Sequence, residues 1–65
     1  MAYNDTLATL RNEKGKTMKE VAEAVGVTKS AIAMYESGKR IPRDEIKIRL
    51  ANFYKKSVSS IFFAK

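Results

Sequence analysis

The sequence predicts an all-α globule of five short helices. Three observations carry that expectation. Strand signals are nearly absent, and the only short apolar run is Ile61-Phe62-Phe63-Ala64. Apolar residues recur instead three and four apart, the spacing of a helix face. Gly, Pro, Ser and Thr fall between these periodic segments, where helix caps and stops belong.

The first helix is expected from about Asn4, as N-cap, to Lys14, with Tyr3, Leu7 and Leu10 on one face and Gly15 as its stop. The second begins at Thr17, with Glu20 three residues on in the capping-box arrangement. Val21, Ala22 and Val25 form its buried stripe, and Gly26 ends it in the left-handed conformation. The third is capped by Thr28 and runs to about Ser37, with Ile32 and Tyr35 inward and Gly38 as its stop. After the basic loop Lys39-Arg40-Ile41-Pro42, a fourth helix is expected from about Arg43 to Tyr54. Ile46, Leu50 and Phe53 form its main stripe, with Ile48, Ala51 and Tyr54 nearby. Asp44 and Glu45 in its first turn and Lys55 and Lys56 at its end complement the helix dipole. Ser57 caps a fifth helix from about Val58 to Ala64, with Val58, Ile61 and Phe62 inward. Each is too short to be stable alone, so packing must hold them.

Composition narrows the function. The 65 residues suffice for a single domain, residues 1–65, with a small core. The chain has no Cys and no His, which excludes disulfides, thiolate chemistry, zinc fingers and His-based acid–base catalysis. The seven Asp and Glu are scattered, which argues against a carboxylate metal cage. No apolar run approaches the ~20 residues of a membrane span, and no signal peptide opens the chain. The expectation is a soluble cytoplasmic domain that needs no cofactor and is not an enzyme.

Charge is distributed unevenly. Residues 1–38 carry five Lys/Arg and five Asp/Glu, whereas residues 39–65 carry eight and two, so the whole +6 excess lies in the second segment. Such asymmetry fits nucleic acid, an anionic membrane, or a solvated face that keeps a small domain dispersed.

The centre of the chain decides among these. Helix, Gly turn, helix, with caps at Thr17 and Thr28, is the helix-turn-helix pattern. A small residue, Ala22, stands where two helices would cross, and Gly26 takes the turn four residues later. Val27 plugs the core from the turn, and Ile32 and Tyr35 anchor the second helix. In register with Glu36-Ser37-Gly38-Lys39-Arg40-Ile41-Pro42, these residues resemble the DNA-binding domain of the phage-repressor/Cro (XRE) family. Leu10 to Gly15 resembles that family's first helix and turn, and Leu50 to Tyr54 with Ser57 to Phe62 resembles its closing helices.

The resemblance implies a compact five-helix lambda-repressor-like bundle. It also implies a regulator that binds duplex DNA sequence-specifically as a homodimer on a palindromic operator, as a repressor. The third helix would enter the major groove. Lys29, Ser30, Ala33 and Met34 then take base-facing places. Lys29 can donate to guanine, Ser30 serves several bases, and Ala33 and Met34 offer apolar contact to thymine methyls. With no Arg, Asn or Gln on this helix, direct readout is expected to be modest and helped by DNA shape. Phosphate contacts fall to Thr17, Thr28, Lys39, Arg40 and Lys19, with Lys16 and Arg43 behind them. Thr17 and Thr28 can also act simply as caps. Lys47, Arg49, Lys55 and Lys56 are expected to form a solvated face. Arg11 and Glu36 match a structural ion pair between the first and third helices.

The sequence departs from the family at several places. Met18 stands where Gln usually opens the motif and cannot make the same polar contact. Lys55 replaces the Gly that usually ends the fourth helix, and Lys56 an apolar residue. Asp44 and Lys47 occupy commonly apolar places, so the core face of the fourth helix is expected to be rotated.

A homodimer is expected to use the bundle's own surface, no separate dimerisation or sensor domain being expected after residue 65. Phe63, Tyr54 and Ile48 are the interface candidates, the alternative for Phe63 being to fold back into the core. The competing function is a protein-interaction module, such as an antitoxin-like partner whose DNA binding is secondary. A membrane-active peptide would need one long amphipathic face, which these capped helices do not form. RNA binding lacks an exposed aromatic platform, since Tyr and Phe read as core.

Overall fold

The computed structural model describes residues 3–63. Five helices follow one another: α1 (Tyr3–Lys14), α2 (Met18–Val25), α3 (Lys29–Ser37), α4 (Asp44–Tyr54) and α5 (Val58–Phe62). No strand occurs among the described residues. The bundle measures 28 × 22 × 19 Å. α3 packs against α1 and α2, α4 against α1, α2 and α5, and α5 also against α1.

Local chemistry explains the boundaries. The Thr17 hydroxyl accepts from the Glu20 amide at 3.1 Å while the Glu20 carboxylate accepts from the Thr17 amide at 2.9 Å, completing the capping box. Those bonds to Thr17, first from its backbone and then from its side chain, hold the Glu20 carboxyl below the usual carboxylate range. Thr28 caps α3 by accepting from the Ala31 amide at 3.0 Å, and Ser57 caps α5 by accepting from Ser60 at 3.1 Å. Arg43 takes the N-cap position of α4 without a side-chain bond, so Asp44 and Glu45 in the first turn favour that end instead. α1 begins one residue before its expected cap. Asn4 therefore lies inside the helix, with its side chain against Gly38: a Cβ at Gly38 would sit 3.4 Å from Asn4 Cγ. α5 is assigned to Phe62, and its expected end at Ala64 lies outside the described residues, as does Lys65.

The core joins all five helices. Leu7, Val21, Ile32, Leu50 and Ile61, one from each helix, are its most completely buried large side chains. Burying each such side chain contributes about 1.5–3 kcal/mol. Val25, Ala22, Tyr35, Ile46, Ala51 and Tyr54 complete the buried set. Tyr3, Leu10, Val27, Phe53, Val58 and Phe62 pack around it, half-buried. On α4 the buried stripe is Ile46, Leu50, Ala51 and Tyr54, rotated from the expected stripe through Phe53. Tyr54 thus belongs to the core, at 7% exposure, and is corrected from an interface candidate to a core residue. Its ring meets that of Phe53 edge-on at 5.1 Å.

Lys47 shows how a charge fits beside this core. Its side chain is only 15% exposed, and its ammonium lies 5.6 Å and 5.3 Å from the ring centroids of Phe62 and Phe63. The stem covers apolar surface while the charge meets aromatic faces. Lys47 is therefore not part of a solvated face. Arg49 is not free either: it donates to the Val25 carbonyl at 3.2 Å, satisfying a backbone group at the end of α2.

Two helix ends turn through left-handed backbone, one on a glycine and one on a lysine. Gly26 (φ 87°) lets its own amide and that of Val27 both donate to the Ala22 carbonyl, at 2.8 and 3.0 Å. A Cβ there would meet Arg49 Nη1 at 3.2 Å. At the end of α4 the same conformation falls on Lys55 (φ 57°), the one non-glycine residue with positive φ among those described. A side chain in this region costs about 1 kcal/mol or more. Lys55→Gly removes that strain but adds freedom to the unfolded chain. The net expectation is a stabilisation of about 0.5 kcal/mol, raising Tm by roughly 2–4 °C for a domain of this size. Thermal melts of the two proteins measure it, and a lowered Tm would show that Lys55 is unstrained.

Candidate nucleic-acid interface

The candidate interface is centred on α3. Its inward residues, Ile32 (1% exposed) and Tyr35 (6% exposed), lock it to the core. The opposite face carries Lys29, Ser30, Ala33 and Met34, related by one and four positions and so side by side on the helix. Lys29 and Ser30 are exposed, Met34 is 41% exposed, and Ala33 is half-buried. Met34 is thus an apolar side chain presented to solvent rather than packed beneath the surface. The Thr17, Lys19, Thr28, Lys39 and Arg40 residues are all exposed as well. Lys19 follows the N-cap of α2, and Lys39 and Arg40 follow the C-cap of α3. Both threonine hydroxyls accept a bond as caps, which leaves each O–H hydrogen able to donate outward.

The end of α3 is unusually well held. The Met34 carbonyl accepts from the Lys39 amide at 3.0 Å, the Arg40 amide at 3.3 Å and the Ser37 hydroxyl at 3.1 Å. Arg40 and Arg43, with Val27, Tyr35 and Ile41, rim a shallow hollow of about 210 Å³ beneath the following loop.

Behind α3 lies the Arg11–Glu36 pair. Arg11 Nε donates to Glu36 Oε2 at 2.7 Å and Nη2 to Oε1 at 3.1 Å, a bidentate fork. The remaining Nη1 donates to the Lys16 carbonyl at 3.0 Å. One guanidinium therefore joins α1, the α1–α2 turn and α3. The two side chains are 16% and 7% exposed. The bond to Glu36 holds the Arg11 guanidinium above its ordinary pKa against the opposing effect of burial. Burial, and then the nearby Glu36 charge, push the Tyr54 phenol up to about 12, with Arg11 opposing.

A second surface lies on α4 and α5. Ile48 (52% exposed) and Phe63 (63% exposed) share a groove of about 380 Å³ with Val58, Lys47 and Asp44. Phe63 does not fold back into the core. Two contributors were not singled out by sequence. The phenol of Tyr3, read there only as a core ring, donates to the Arg40 carbonyl at 2.7 Å. A half-buried Tyr needs a partner for its hydroxyl, and that need was the available signal. Arg49 gave none, because its partner Val25 lies 24 residues away.

Comparisons with known proteins agree with this geometry. The profile of a helix-turn-helix family matches residues 7–61. A crystal structure of the P22 c2 repressor in complex with a synthetic operator superposes with a TM-score of 0.93 at 18% identity, covering 95% of this chain and 94% of that one. A transcriptional regulator from Listeria innocua gives 0.89 at 28% identity, covering 97% of this chain and 59% of that one. No curated protein sequence matches significantly. The chain belongs to the helix-turn-helix family of phage-repressor/Cro (XRE) type, whose members are DNA-binding regulators of transcription. No helix of the described residues is long and apolar enough to cross a membrane.

Two outcomes are expected from the buried side of this interface. Glu36→Ala leaves the Arg11 guanidinium without its fork and should destabilise the fold by roughly 2–3 kcal/mol, read as a drop in Tm of about 10 °C or more. An unmoved Tm would show the pair to be two independent charges. Tyr54, whose phenol ionises less readily folded than unfolded, should lose stability for the fold as pH rises from about 10 towards 12. Below pH 10 both states keep the proton and the residue adds no pH dependence. Melts of the parent and Tyr54→Phe proteins between pH 9 and about 11.5 should diverge, with the variant losing less; parallel curves would refute it.

Proposed function

We propose that this chain represses transcription by binding a palindromic operator as a symmetric homodimer, with α3 in the major groove. The observation that carries this reading is the outward face of α3. Exposed Lys29, Ser30 and Met34 stand on a doubly capped helix-turn-helix, flanked by the basic Lys39–Arg40 step. Lys29 reads guanine O6 or N7, and Met34 with Ala33 reads thymine methyl groups. Lys39, Arg40, Lys19 and the hydroxyls of Thr17 and Thr28 bind phosphate oxygens. The P22 c2 repressor, of the same fold, was crystallised on a synthetic operator, which supports duplex DNA as the ligand. No cofactor enters this scheme, and no step in it is catalytic.

The exposed pair Ile48 and Phe63 supports a homodimer built on the α4–α5 groove. The same apolar groove favours a second reading, in which a different protein docks there and DNA binding is secondary, as in an antitoxin-like module. High salt separates the two, because phosphate contacts fail there and apolar docking does not.

Selection from a randomised duplex library at near-physiological salt tests the main reading. The expected product is a two-fold-symmetric site with half-sites about 34 Å apart. Recovery of only unspecific, salt-sensitive binding would overturn it. In binding titrations over a range of salt concentrations, Lys39→Gln with Arg40→Gln should weaken binding to all sequences alike and reduce the salt slope of the homodimer by about four, two for each protomer. A change in sequence preference instead would place these residues on base edges.

A further inference from the structure

The loop after α3 is fastened from two sides. From within, the Lys39 and Arg40 amides donate to the Met34 carbonyl at 3.0 and 3.3 Å. From outside, the Tyr3 hydroxyl of α1 donates to the Arg40 carbonyl at 2.7 Å. The backbone of Arg40 is thus held at both its amide and its carbonyl while the residue itself stands exposed. Tyr3 is in turn fixed. Its half-buried ring packs against the core with its centroid 5.8 Å from that of Phe62, and the neighbouring Asn4 side chain lies against Gly38. The first turn of α1 therefore covers the end of the recognition helix.

Packing alone does not need this hydroxyl, since a phenylalanine ring would fill the same space. The O–H instead crosses 37 residues of sequence to reach the backbone carbonyl of Arg40 itself. Ordering a loop before its ligand arrives lowers the entropy lost on binding. A guanidinium presented from a fixed backbone can meet a phosphate without first arresting the loop.

We infer that Tyr3 is a positioning residue for DNA-phosphate binding by Arg40, acting through its bond to the Arg40 carbonyl. The inference rests on the reading of Arg40 as a phosphate contact. It adds a function for α1, which otherwise serves only as support.

Tyr3→Phe keeps the ring and removes the hydroxyl. The full-length chain, Tyr3→Phe, Arg40→Gln and the double variant are titrated with a random-sequence duplex of about two helical turns. Anisotropy is recorded over a range of salt concentrations, at a temperature where circular dichroism shows every variant folded. Tyr3→Phe should bind about two- to tenfold more weakly, with a shallower salt slope approaching that of Arg40→Gln. In the Arg40→Gln background it should change nothing further. Unchanged affinity and slope in Tyr3→Phe, beside a loss in Arg40→Gln, would overturn the inference and leave the phosphate reading standing. Equal losses in both backgrounds would also overturn it, because Tyr3 would then act through the fold and not through Arg40. No loss in Arg40→Gln would overturn the phosphate reading and the inference together.

Discussion

The fork between Arg11 and Glu36 constrains everything that α3 presents. A helix of nine residues has no stability of its own. Burial of Ile32 and Tyr35 fixes its distance from the core, but apolar contact is non-directional and leaves rotation about the helix axis weakly defined. Two parallel bonds from a planar guanidinium are directional. They act on Glu36, immediately after Tyr35, and so set the angle at which the opposite face points. The third bond, to the Lys16 carbonyl, extends the same constraint to the turn from which α2 starts. Position and orientation of the helix-turn-helix unit are thereby joined in one side chain.

The same residues change the meaning of the net charge. A formal +6 suggests a surface uniformly ready for a polyanion. In the folded chain several cations are already engaged. Arg11 is forked to Glu36, Lys14 lies 5.3 Å from the Phe53 ring centroid, Lys47 lies over Phe62 and Phe63, and Arg49 reaches the Val25 carbonyl and Glu45. Lys19, Lys29, Lys39 and Arg40 have no such internal side-chain partner among the contacts described and are exposed. Lys47 and Arg49 of α4 support packing, while Lys29 of α3 and Lys39 and Arg40 after it face outward. A composition-level excess thus resolves into two sets with different work to do.

Sequence was most informative where local chemistry acts alone. The caps at Thr17, Thr28 and Ser57, the stops at Gly26 and Gly38, and the inward residues of α2 and α3 all follow from spacing and residue type. The Arg11–Glu36 proximity was legible only through family resemblance, because nothing local joins residues 25 apart. The face of α4 was misjudged at Phe53 and Tyr54. Both are aromatic and adjacent, and periodicity over eleven residues cannot choose between neighbours when Lys47 takes up part of the apolar surface. Lys55 was seen as a departure, yet the backbone keeps the left-handed turn there and bears the strain. Of the α3 candidates, Lys29, Ser30 and Met34 were readable as exposed, whereas Ala33 is half-buried.

The outward face and the supporting face of α3 alternate along one short segment without sharing side chains. The side chains of Ile32, Tyr35 and Glu36 hold the helix, whereas those of Lys29, Ser30 and Met34 are exposed and lie outside the core. Substitution at the latter three leaves core volume, caps and the guanidinium fork untouched. Change in what that outward face contacts is therefore separable from change in how the chain folds. The work of folding and the work of contact are thus divided between two faces of one nine-residue helix.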